Sequence, residues 1–207
     1  LEGRQPRHIV IGMSNWTISP TPGFWQSLLE TYRLCGINSV DCHLMADGAS
    51  WAGAARAAGM RRTVGLWWFW WNDAYLQDHP DHAAVAFDGK PDLKTVCPEV
   101  MADPSSSAID GVMSGLVEAV KAGRIEGSWW DLEGPACFQL CFCPRCLARF
   151  GEEAKIAADE ELSPARIQAK YADRWVAFAC GQSARIARRM KQHAGQAGAD
   201  WKLLLYS

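Results

Sequence analysis

Two carboxylates stand two residues apart at the end of an apolar run, Gly127-Ser128-Trp129-Trp130-Asp131-Leu132-Glu133, which breaks at Gly134-Pro135. In an extended strand residues i and i+2 share a face, so Asp131 and Glu133 are expected to point the same way. Acids sharing a buried site push each other's pKa apart, so one holds a proton at neutral pH and can donate it to a leaving oxygen. Glycosidic cleavage needs that chemistry, which makes Glu133 and Asp131 the candidate catalytic residues. The bland alternative is a solvated strand end, or Asp131 bonded to a neighbouring strand.

Directly behind the acids stand Cys137, Cys141, Cys143 and Cys146, spaced C-x3-C-x-C-x2-C, four of the 8 cysteines in the chain. Cys141, Cys143 and Cys146 form a knuckle whose short spacings let three thiolates reach one tetrahedral Zn²⁺. The fourth ligand is Cys97 or Cys137. Cys97 is the choice if the loop after the third strand lies beside the loop after the fourth. Four thiolates close the coordination shell, so such a zinc is structural and clamps two loops together. The competing reading is reduced thiols or one disulfide. Cys35, Cys42 and Cys180 lie in apolar surroundings and read as core residues.

The elements that must position these groups follow a strand-helix rhythm. Strands are expected over 8–13, 37–44, 63–71, 127–133 and 201–206, the third apolar on both faces. Helices are expected from Thr21-Pro22 up to Gly36, and over 49–58, 107–121, 147–156 and 164–194, the last with Ser163 as N-cap. The stretch 72–101 has turn signals and no periodicity, which predicts a long functional loop. Alternating strands and helices imply βαβ units and a parallel sheet. No GxGxxG follows the first strand and no GxxxxGK[ST] occurs, so the two common phosphate cradles are missing. Polar residues gather after the strand ends: Asn15, His43, Asn72, Asp131, Glu133. This favours a (β/α)8 TIM barrel over a doubly wound sheet. A full barrel needs about 250 residues, and about five βα units are legible. Residues 1–207 are therefore expected to be the N-terminal portion of a single (β/α)8 catalytic barrel, with a free-standing open sheet as the alternative.

Trp71 and Asn72 leave the third strand together and are candidates for a sugar platform. Asn15, Trp16 and His43, after the first two strands, are further candidates for substrate contacts. Packing is the alternative for each of them. The 11 Trp exceed what a core of this size requires, and flat aromatic faces suit sugar rings. Arg185, Arg188, Arg189 and Lys191 read as a solvated helix face, and His79 and His82 as surface residues.

The totals narrow the class. Hydrophobic residues make up 49%, which excludes a disordered chain, and the formal net charge of −2 argues against a nucleic-acid binder. No apolar run is long enough to span a bilayer. The expected partner is a carbohydrate substrate, with neither nucleic acid nor membrane; a homo-oligomer stays open. The thiolate cluster tilts the compartment toward the cytoplasm.

The pattern Cys97 … Cys141-x-Cys143-x2-Cys146, just after a strand-end Glu133, resembles the glycoside hydrolase family 42 β-galactosidases. That resemblance implies a (β/α)8 barrel of the retaining clan A, a structural zinc on four cysteines, and Glu133 as acid/base. The nucleophile would then be a second glutamate closing a seventh strand, beyond Ser207. Clan A enzymes carry Asn just before this glutamate, where Leu132 stands here. Asp131-Leu132-Glu133 also resembles the Asp-x-Glu ending of family 18 chitinase-type barrels, over three residues only. The function expected is a divergent clan-A-like glycoside hydrolase; the alternative is a non-catalytic carbohydrate-binding barrel, which Leu132 favours. A metal-dependent amidohydrolase needs His-x-His after the first strand, where Ser14-Asn15-Trp16 stands instead.

Overall fold

The computed structural model describes residues 11–12, 22–41, 48–66, 72–131 and 141–206. Five parallel strands form the main sheet: β1 (Ile11–Gly12), β2 (Ser39–Asp41), β3 (Arg61–Gly65), β6 (Gly127–Asp131) and β7 (Lys202–Tyr206). Their spatial order is β1-β2-β3-β6-β7, which is chain order. Parallel neighbours need a crossover, and helices supply it. α1 (Pro22–Leu34) joins β1 to β2, α2 (Gly48–Ala57) joins β2 to β3, and α5 (Asp110–Lys121) leads into β6. The sheet is not closed among the described residues.

Register and alternation put Val40, Val64 and Trp130 on one face, where Arg62 and Ser128 also lie, and Ser39, Asp41, Thr63, Gly65 and Trp129 on the other. The first set is buried with Leu29, Ala55, Met113, Leu116, Ile186 and Met190 of the helices, and this is the main core. The second face is also buried yet mostly polar, with Ser39, Asp41 and Thr63 all shielded from water. There Ser39 and Thr63 hydroxyls lie 3.4 Å apart.

The stretch 72–101, expected as an irregular loop, is folded. It carries α3 (Asp73–Asp78), a 3₁₀ turn at Pro80–His82, an antiparallel hairpin of β4 (Ala83–Val85) and β5 (Pro91–Val96), and α4 (Pro98–Ala102). The turn signals mark its joints rather than disorder. Asp88-Gly89 forms the hairpin tip, where Gly89 adopts φ +80°, a conformation open to glycine without strain. Elements this short bury too little of one face to show a period, so the pattern was silent.

After β6 the chain forms α6 (Pro144–Glu153). The expected helix over 164–194 is two helices, α7 (Pro164–Lys170) and α8 (Ala172–Gln196), broken at Tyr171 with φ −131°. The Tyr171 hydroxyl donates to Glu160 at 2.9 Å, which holds the break. The basic face on α8 is also a correction. Arg188 is exposed, but Arg189 donates to the carbonyls of Met101 (2.7 Å) and Ser106, and Arg185 binds Glu99 and Glu153. Cys35 and Cys180, expected in the core, are exposed.

Candidate functional site

Cys97 ends the hairpin as N-cap of α4, and Cys143 is the N-cap of α6, with Pro144 in its first turn. Proline fits there because the first-turn N–H has no intrahelical partner. Cys146 lies one turn further on. Cys141 precedes a backbone bridge in which the Phe142 N–H donates to the Val85 carbonyl at 2.8 Å, pairing the knuckle with β4.

These contacts bring Cys97, Cys141, Cys143 and Cys146 together, all buried, with every Sγ within 4.8 Å of the others. Cys97 Sγ is 3.5 Å from both Cys143 Sγ and Cys146 Sγ. Four sulfurs about 2.3 Å from one tetrahedral ion would stand about 3.8 Å apart, so the donor set fits a four-thiolate centre. The Val85 N–H donates to Cys141 Sγ at 3.3 Å. The sulfurs also govern one another's protons: hydrogen bonds from Cys141, Cys146 and Cys97 push the Cys143 thiol down, while Cys141, Cys143 and Cys97 push Cys146 up. Negative charge on one sulfur thus opposes charge on the next, a conflict that a bound cation relieves. The α6 N-terminus adds its positive dipole end to the same point. Four buried cysteines are therefore placed to hold a metal ion, with Cys97 as the fourth member. Cys137 lies outside the described residues.

At the strand ends, Asp41 closes β2 almost fully buried, at 1% exposure. Its Oδ1 accepts from the Gly65 N–H at 2.9 Å and from Trp129 Nε1 at 3.2 Å. The Trp129 indole therefore spans β3 from β6 to β2, across the place where Gly65 has no side chain. The sequence raised no flag at Asp41, which stands in the mixed polar and apolar run Ile37-Asn38-Ser39-Val40-Asp41. The backbone of Asp131 ends β6 and pairs in register with Tyr206 of β7. Asn72 caps α3: its side-chain oxygen accepts from the Tyr75 N–H at 3.1 Å, and its amide donates to the Ala108 carbonyl at 3.3 Å. Glu133, Asn15, Trp16, His43 and Trp71 lie outside the described residues.

A cleft of about 590 Å³ lies beside α6, lined by His82, Glu99, Asp103, Ser106, Arg145 and Arg185 among others. Its cations are engaged: Arg145 with Asp81 at 2.7 Å and Arg185 with Glu99 at 2.5 Å. His82 Nδ1 and the Tyr75 hydroxyl are hydrogen-bonded, 2.7 Å apart. Trp129, Trp130, Trp175 and Trp201 are all buried, so part of the high tryptophan count is core packing.

No family model matches the chain, and no curated protein matches it. Among solved structures it is similar to the α-L-fucosidase isoenzyme 2 from Paenibacillus thiaminolyticus, at 13% identity and a TM-score of 0.52. That alignment covers 96% of this chain and 32% of the fucosidase. At this identity the likeness concerns the fold: a mixed α/β architecture on a parallel sheet, shared with a glycoside hydrolase. These comparisons do not confirm the family 42 resemblance; what stands is the four-cysteine cluster itself. Among the described residues no helix is long and apolar enough to cross a membrane.

Proposed function

We propose that the chain is the N-terminal part of a (β/α)8 glycoside hydrolase that cleaves a carbohydrate O-glycosidic bond with retention, Glu133 serving as general acid/base. The observation that carries this reading is the strand order. Five parallel strands follow one another in chain order with no reversal, the winding of a barrel rather than of a doubly wound sheet. The fold likeness to a fucosidase points the same way. Enzymes of this architecture place their chemistry after the C-terminal ends of strands. Glu133 follows the end of β6 at Asp131 by two residues. Asp131 is the second acid, and Asn15, Trp16, His43, Trp71 and Asn72 are the proposed sugar contacts.

The metal in this reading is zinc, held by Cys97, Cys141, Cys143 and Cys146. Bound there it would supply no reaction chemistry, because four thiolates leave no open position. The chain's own residues do the structural work. Cys97 holds the β4–β5 hairpin, and Cys143 and Cys146 hold the start of α6, so the segments after β3 and β6 are fastened to each other.

Leu132 supports a second reading, a carbohydrate-binding barrel without catalysis, because it offers no hydrogen bond where clan A enzymes carry Asn. One experiment separates the two. Aryl glycosides with poor leaving groups, fucosides and galactosides among them, are assayed with the full-length wild-type enzyme and its Glu133→Gln variant. Loss of about 10²-fold in turnover supports acid catalysis. Equal turnover by both proteins refutes the role, and calorimetric sugar binding without cleavage selects the binding module.

A further inference from the structure

We propose that Gln182 is an outer-sphere positioning residue of the four-cysteine centre, donating an amide hydrogen to the Cys146 thiolate. This rests on the reading of that cluster as a metal centre. Gln182 projects from the middle of α8 and is 4% exposed. Burying an amide costs free energy unless hydrogen bonds replace water, so its partners explain its presence. Its Nε2 lies 3.5 Å from Cys146 Sγ and 2.8 Å from Glu99 Oε1. Both neighbours are acceptors, which assigns the amide: the NH₂ end faces them, and each takes one hydrogen.

The contacts close into a ring. Glu99 Oε1 also accepts from Arg185 Nη2 at 2.5 Å, and Arg185 Nη1 reaches Glu153 Oε1 at 3.0 Å. Glu153 is the last residue of α6, whose first turn carries Cys146. Glu99 lies in the first turn of α4, directly after Cys97. Gln182 and Arg185 therefore fasten both ends of α6 to α8, and they share one acceptor on the helix that follows Cys97.

Chemistry supplies the reason for a donor at this point. Four thiolates around a divalent cation carry a net charge of about −2 in a buried site. N–H donors to sulfur disperse that charge and fix the sulfur's direction; the Val85 N–H does this for Cys141, and Gln182 does it for Cys146. Partners of this kind set metal affinity alongside the ligands themselves.

The test measures Zn²⁺ affinity by competition with a chromophoric chelator, for the wild-type chain, Gln182→Met and Gln182→Glu. Met keeps the length and removes the donors. Glu keeps the shape and places a carboxylate beside Glu99. Both should weaken binding by about 10-fold or more, while Arg188→Met, exposed on the same helix, leaves it unchanged. Cobalt(II) supplies a signature that packing alone would not move. With the donor gone, the sulfur lone pairs rise in energy and the thiolate-to-cobalt charge-transfer band shifts to longer wavelength. Wild-type protein loaded with ¹¹³Cd²⁺ needs no substitution: the Gln182 side-chain amide proton should couple to the metal nucleus. Affinities within twofold of wild type and an unmoved cobalt band overturn the role of Gln182 alone. If the wild-type chain takes up no Zn²⁺, the metal reading falls, and this inference with it.

Discussion

Gly65→Ala tests the packing beneath the proposed site. A Cβ at position 65 would stand 2.5 Å from Cζ2 and 2.8 Å from Cε2 of the Trp129 ring. Neither neighbour can give way freely. The indole is 5% exposed, and its Nε1 is held by Asp41 Oδ1 at 3.2 Å. Room for the methyl requires turning the ring, which strips a donor from a buried carboxylate. Overpacking of a core costs about 1–3 kcal/mol. Losing a hydrogen bond to a charged buried group adds about 1.5–3 kcal/mol, so the sum is about 2.5 kcal/mol or more. At about 2–4 °C per kcal/mol for a chain of this size, the thermal midpoint should fall by about 5 °C or more. Circular dichroism melts of wild type, Gly65→Ala, Trp129→Leu and the double variant check this. In the Trp129→Leu background the same alanine should cost less than about 1 kcal/mol, since the clash partner is gone. A Gly65→Ala melt within about 2 °C of wild type, or an equal alanine cost on both backgrounds, would refute the packing argument.

Cys143→Ser should abolish metal uptake, read as loss of one zinc per chain by native mass spectrometry. At free zinc 100 times Kd, binding adds about 2.7 kcal/mol, so the variant should lose the zinc-dependent part of its thermal midpoint, about 5–10 °C. Metal retention should also weaken as pH falls, because protons compete for sulfurs that bind only as thiolates. A pH titration that leaves zinc in place until the protein unfolds would contradict this. Arg189→Met should destabilise by about 2 kcal/mol in urea unfolding, because the Met101 and Ser106 carbonyls lose a charged donor; a change under about 0.5 kcal/mol would show that water replaces it.

The cluster was legible where chemistry and spacing coincide. Cys141, Cys143 and Cys146 lie so near in sequence that almost any compact turn brings their sulfurs together. Cys97 was legible as one of two candidates, since choosing it depends on which loops are neighbours. The parallel sheet was legible as a rhythm, because parallel strands force a helix between them. The hairpin was not, because β4 and β5 are short and held largely by their pairing and by the Phe142–Val85 bridge. Nor was the inward turn of Arg189, as a basic helix residue looks solvated until the carbonyls it caps are known.

The sequence by itself determined the βα alternation, the cysteine knuckle and the strand that begins at Gly127, because each depends on near neighbours and on local backbone chemistry. Only the tertiary structure decided that Cys97 meets the knuckle, that Gln182 and Glu99 stand around it, and that Asp41 holds Trp129 across Gly65. Those contacts join residues 24 to 88 positions apart. Such pairs depend on how strands are ordered and how helices dock, which no local pattern encodes.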